Sequence, residues 1–300
     1  METTSKSFTT DSVNSRLESQ KILNLRFIFP GNANVKINNN IIEIRINEKK
    51  EVTKKDIKEI ISSYIEKSNA DSVLVSGGID SSLLAVISKK KLKSIKIITA
   101  GVDKSEDVYF SNKLAENIGE ELYFAEINEE NAVQAIKTLK KMKLDTYNII
   151  MGITEFIALK KAKEIGCKKI MSGLGSDELF LGFYRHKTME KEKLKEYQEK
   201  RLFYMPAFDL LRINSIASYF GISVVLPYLN DELVENIKKM EKIEYNDKSV
   251  LRSIGKEFGL SNELTERRKK AMQYGSGVVK LLRDLSRKKH EKVGELIKGI

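Results

Sequence analysis

The chain has 300 residues, 41% of them apolar, which is enough to bury a substantial core, and 53 Lys and Arg against 42 Asp and Glu give a formal net charge of +11. One cysteine, Cys167, rules out an internal disulfide, and two separated histidines leave no zinc-type cluster, so a bound metal is expected to sit on carboxylates. No apolar run approaches the roughly 20 residues that a membrane-spanning helix needs, and the opening METTSKSFTTDSVNSRLESQ has no continuous apolar segment, which predicts a cytoplasmic protein with no membrane contact.

Residues 1–24 are polar and expected to fray. From 26 to 47 a Pro-Gly turn, an Asn triplet and alternating Val35/Ile37 and Ile41/Ile42/Ile44/Ile46 predict a β-hairpin. Thr53 then opens a helix to about residue 68, with Ile57, Ile60, Ile61 and Tyr64 on one face. Strand and helix alternate from there: strand 72–76, helix 81–90, strand 95–102, helix 106–118, strand 121–127, helices 132–142 and 152–165, strand 168–173. Repeated βα units with short apolar strands predict an α/β fold with a doubly wound parallel sheet. Beyond Tyr184 the pattern turns mainly helical. The expected division is therefore a flexible N-terminus and hairpin in 1–50, an α/β core in 51–185 and a helical C-terminal region in 186–300.

The charge has two readings. In MEKEKLKEYQEKR, residues 189–201, lysines alternate with glutamates as on a solvated surface. Residues 267–292 instead hold RRKK, Lys280, Arg283, Arg287, Lys288, Lys289 and Lys292 with few acids, which suits either an anion-binding face or the wet side of an amphipathic helix.

Two turns carry chemistry. SGGIDSS, residues 76–82, joins a strand to a helix, where backbone N–H groups and the helix dipole favour an anion. Gly77 and Gly78 let a phosphate approach the backbone, the Ser76, Ser81 and Ser82 hydroxyls can donate to it, and Asp80 can hold a divalent cation. The spacing and lysine of a Walker A loop are missing. The second turn, SGLGSDELFLGFYR at 172–185, again follows a strand with Ser-Gly and supplies Asp177 after Gly173 and Gly175. Ligands of doubly wound sheets bind beyond the carboxyl ends of the strands, so both turns are expected at one edge, with Asp80 and Asp177 converging on one Mg²⁺. A dinucleotide fingerprint is set aside, because Glu178 stands where its third glycine would be.

SGGIDSS followed by SGLGSDELFLGFY resembles the PP-loop ATP pyrophosphatase domain, of the adenine nucleotide alpha hydrolase-like type, found in the asparagine synthetase family. The likeness extends through LLRINSIASYFGISVVLPYLNDELV, 210–234, which parallels a helix and a Pro-Phe-Leu-Asp segment, and RRKKAMQYGSG, 267–277, which parallels a basic loop. The resemblance implies that ATP and Mg²⁺ activate a carboxylate, aspartate or a similar acid, as an acyl-adenylate with release of pyrophosphate, and that a nitrogen nucleophile then displaces AMP. It implies that Ser76, Gly77, Gly78, Ser81, Ser82 and Gly173 serve the nucleotide phosphates, that Asp80 and Asp177 hold Mg²⁺, and that Leu74, Val75 and Ile98 line an adenine pocket. Lys270 matches the lysine that stabilises the α-phosphate, with Lys269 as the alternative register.

The pattern breaks on the acceptor side. Leu174 stands where the family has a proton-accepting Glu or Tyr, Ser223 and Val225 replace a Glu and an Arg, and Asn230 replaces the Asp. Met1-Glu2 supplies no glutaminase nucleophile and Cys167 reads as packing, so ammonia is expected free from solution or from a separate glutaminase subunit, unless it is not the nucleophile. Two other readings stay open: a PP-loop enzyme that adenylates an RNA base, and a catalytically silent binding module. Retention of both carboxylates and both Ser-Gly turns weighs against the second.

Overall fold

The computed structural model describes residues 52–182, 189–239 and 248–300, together with the backbone of two short strands, β1 (Lys36–Asn38) and β2 (Ile41–Glu43), which pair antiparallel. The hairpin expected over 26–47 is thus present in these strands. Its Pro-Gly turn, residues 1–24 and Tyr184 lie outside the described residues.

Helix α1 (Lys54–Ser68) begins at Thr53, whose hydroxyl accepts from the Asp56 N–H while Asp56 accepts from the Thr53 N–H, a reciprocal cap that satisfies two donors the first turn would leave unpaired. Ile57, Ile61 and Ile65, one helical turn apart, form its buried stripe. Then come β3 (Ser72–Leu74), α2 (Ile79–Lys91), β4 (Lys96–Gly101), α3 (Glu106–Ile118), β5 (Leu122–Glu126), α4 (Glu129–Lys141), α5 (Thr146–Glu164) and β6 (Lys169–Met171). Helix α5 starts six residues earlier than its apolar pattern suggests, because Asp145 caps it by accepting from the Asn148 N–H at 2.9 Å.

The remaining elements are α6 (Ser176–Leu179), α7 (Lys191–Tyr204), α8 (Asp209–Phe220), β7 (Ser223–Val225), α9 (Asp231–Lys239), α10 (Ser249–Glu257), α11 (Asn262–Thr265), α12 (Met272–Gly275), α13 (Val278–Lys288) and α14 (Val293–Gly299). The region read as helical therefore contributes one strand. Three residues of β7 pair with β6, too few to show an alternating signal against the helices on either side.

The main sheet is parallel throughout, in the order β5-β4-β3-β6-β7. Helices cover both faces, each over its own apolar core. Val73, Ile97, Met171 and Val225 face α1, α2, α9 and α10, while Ile98, Ala100 and Ile170 face α4, α5, α8 and α13. Cys167 is buried and free, a packing residue as expected. Among the described residues no helix is long and apolar enough to cross a membrane. The order in which strands are added reverses between the parallel neighbours β3 and β6, from which the chain winds outward both ways, so their carboxyl ends open a crevice between the turns that follow them. The two Ser-Gly turns are these turns.

Candidate functional site

Backbone requirements shape the first turn. Gly77 has φ +68, and a Cβ there would collide with the backbone and Cβ of Phe110 on α3, so only glycine lets the turn lie this close to the helix. Gly77→Ala should lower stability by about 2 kcal/mol or more, read as a fall in melting temperature, and an unchanged melt would contradict the close approach. The turn is tied internally: the Ser76 N–H donates to Ser81 Oγ at 3.1 Å, and that hydroxyl donates to the Gly78 carbonyl at 3.2 Å. Gly78 caps α2, and the Ser82 hydroxyl is fully buried without a hydrogen-bond partner among the described residues.

The second turn packs directly onto the first. A Cβ on Gly173 would lie 3.3 Å from the Asp80 Cβ, and Ser176 Oγ donates to Asp80 Oδ1 at 2.6 Å. Asp80 and Asp177 come together as expected, and what they share is a pair of lysines. Lys248 Nζ contacts Asp80 and stands 2.6 Å from Asp177 Oδ1; Lys269 Nζ lies 2.5 Å from Asp177 Oδ2 and 3.8 Å from Asp80 Oδ2. Burial alone would push the Asp177 carboxyl up, but the two ammonium groups hold it well below the usual carboxylate range. Burial would likewise lower Lys269, and Asp177 and Asp80 raise it above the ordinary lysine value.

Over the carboxylates lies a narrow cleft, lined by Ser76, Gly78 and Asp80 from the first turn and by six cationic side chains, Lys248, Arg252, Arg267, Arg268, Lys269 and Lys270. That concentration of positive charge at the N-terminal end of α2 suits a polyphosphate. The two carboxylates both contact Lys248, so they stand close enough together that Asp80 and Asp177 would fit a hard divalent cation between them.

The two lysines of the expected register separate here. Lys269 faces the carboxylates, whereas Lys270 Nζ donates to Glu106 Oε2 at 2.6 Å at the rim. Of the three strand residues assigned to an adenine pocket, Ile98 and Val75 are buried in opposite cores and Leu74 keeps part of its surface. Leu174, half-buried, packs against both apolar cores and brings no proton acceptor to its place between the glycines. Ser223 and Val225 lie in β7, and Asn230 Oδ1 accepts from the Leu233 N–H at 3.1 Å as a helix cap.

Sequence reasoning missed two residues. Lys248 follows no motif, and nothing in a lysine-rich chain marks it; yet its side chain is 2% exposed, and it passes so close to Gly182 that a Cβ there would displace the ends of the Lys248 and Asp177 side chains. Tyr228 was readable, since it stands at the Phe of the Pro-Phe-Leu-Asp segment: fully buried, it donates from its hydroxyl to the Asp80 carbonyl at 2.8 Å. Burial raises its pKa well above the ordinary tyrosine value, which keeps that donor protonated.

Comparison with known proteins gives a consistent picture. A family model described as asparagine synthase matches residues 68–197. A protein of Methanocaldococcus jannaschii described as a glutamine-hydrolysing asparagine synthetase is 24% identical over 334 positions, 93% of this chain and 60% of that protein. The human glutamine-hydrolysing asparagine synthetase is 33% identical over 168 residues, 52% of this chain and 30% of that one. The chain thus spans 60% of the first relative's length and 30% of the second's. Among solved structures, NMN synthetase from Francisella tularensis overlaps with a TM-score of 0.34 at 10% identity, covering 80% of this chain and 97% of that one.

Proposed function

We propose, from the premise that residues 68–197 form an asparagine synthase domain, that this chain is an ATP-dependent carbon–nitrogen ligase that activates a carboxylate, forming AMP and pyrophosphate, and then amidates it. The observation that carries the reading is the convergence of Asp80 and Asp177, 97 positions apart, on the same two lysines, which are among the six cationic side chains that line the cleft.

In this reading the substrate carboxylate oxygen attacks the α-phosphorus, the bond to the β,γ-pyrophosphate breaks, and a nitrogen nucleophile then attacks the acyl carbon as AMP departs. The Gly78 end of α2, with Ser76 and Ser81, binds the pyrophosphate portion, and Lys269 stabilises charge at the α-phosphate. Lys269 is preferred to Lys270 because its ammonium already stands over the carboxylates. Asp80 and Asp177 would hold Mg²⁺, which when bound supplies charge neutralisation on the leaving pyrophosphate. Tyr228 fixes the Asp80 backbone from behind. Leu74 supplies the exposed part of an adenine wall.

The acceptor is proposed as aspartate or a similar small acid, with ammonia supplied free or by a glutaminase partner. The test is release of AMP and pyrophosphate from ATP and Mg²⁺ with ammonium, across a panel of carboxylates led by aspartate. Aspartate-dependent AMP with asparagine formed supports the full reading. AMP only on addition of RNA, lost steeply with salt, would replace the acid by a nucleic-acid acceptor. Absence of AMP with every acceptor would overturn the ligase reading.

A further inference from the structure

The basic segment after Glu266 is fixed at both ends to the start of α3. At its first residue, buried Arg267 donates from Nη2 to Asp107 Oδ1 at 2.6 Å and to Glu106 Oε1 at 3.3 Å, and its guanidinium lies 4.4 Å from the Phe110 ring centroid. At its far end Gly275 presses against the same Asp107 carboxylate so closely that a Cβ would collide with it. The next residue, Ser276, accepts at its carbonyl from the Val102 N–H at 2.8 Å. Between these anchors Lys270 is held outward by Glu106, while Lys269 turns the other way, to Asp177 and Asp80.

We propose that Asp107 is a positioning residue for Lys269: by pairing with Arg267 and packing on Gly275 it holds both ends of the strap that carries this lysine, and so sets where the ammonium stands. A lysine on a loose loop samples many rotamers, and ordering it during reaction costs entropy that a docked backbone has already removed. The first turn of α3 is the natural place for the acid, because the helix dipole favours a carboxylate there. Arg267 in turn is the cation that compensates for the burial of Asp107. Glu106 has the lesser part, since its side chain is far more open to water. The catalytic consequence rests on the nucleotide reading above; the anchoring does not.

The test uses the full chain with Asp107→Asn, which keeps size and removes charge. Amide hydrogen exchange of 266–277 in the ligand-free protein should speed up by about tenfold or more while α1 is unaffected. In the ligase assay, kcat for AMP formation should fall by about tenfold or more with KM for ATP within about threefold, and adding Asp107→Asn to Lys269→Met should cause no further loss. Unchanged exchange, or a loss that adds fully to that of Lys269→Met, would overturn the proposal. Should Asp107→Asn fail to fold, Arg267→Lys keeps the charge without the forked contact; faster exchange in 266–277 would support the strap and unchanged exchange would sink it. A wild-type chain that makes no AMP with any acceptor removes the nucleotide reading, and the exchange comparison still decides the anchoring.

Discussion

Replacing either Asp80 or Asp177 by Ala should cut AMP and pyrophosphate formation by about 10²-fold to 10³-fold or more, with the fold retained. The two carboxylates are 97 positions apart and meet only because β3 and β6 are neighbours at the point where the sheet reverses its winding. Each variant leaves Lys248 and Lys269 with one carboxylate in place of two, so a like-charge pair would face each other across the site. A modest drop in melting temperature is therefore expected beside the loss of turnover. Circular dichroism separates the two effects, and an Asp80→Ala protein with ordinary AMP production would remove the site assignment altogether.

The second large effect is on stability. Arg212 on α8 is 1% exposed and is held by Glu155 Oε2 at 2.8 Å and Oε1 at 3.1 Å, by Asn148 Oδ1 at 2.9 Å and by Asp209 Oδ1 at 3.0 Å. Burial pushes the Glu155 carboxyl up, against the pull of Arg212. Arg212→Leu strands that carboxylate in the core and should cost about 3–5 kcal/mol, measured as a shift of the urea midpoint. Converting Glu155→Gln in the same chain should recover part of the loss, because a neutral amide is cheaper to bury than an unpaired charge. Failure of the double variant to recover anything would mean that shape, not charge, is what the site requires.

Most of the frame was legible in the sequence. The βα alternation from Val73 to Met171 and the two Ser-Gly turns led to a doubly wound sheet and to Asp80 and Asp177 at one edge, because strand and helix periods and glycine-bearing turns are local signals. What escaped was non-local. Strand β7 is three residues long between helices and declares itself only by pairing with β6. Lys248 looks like any surface lysine until its burial between two carboxylates is seen. The choice between Lys269 and Lys270 depends on which of two adjacent side chains turns inward, and that is settled by Glu106 and Asp107, more than 160 positions earlier. Ile98, which the resemblance places at an adenine pocket, is fully buried in the core under α4, α5, α8 and α13.

The late arrival of β7 has a consequence for synthesis. A nascent chain that has emerged only to the end of α6 holds four of the five strands, with the outer edge of β6 unpaired and its backbone donors and acceptors open to any other extended peptide. Only after residue 225 leaves the ribosome can that edge close, and α8, which must pack on α5 through the buried Arg212 and Glu155, arrives just before it. The interval between these two lengths is when the chain is most exposed to mispairing, and it is the window in which a chaperone would matter.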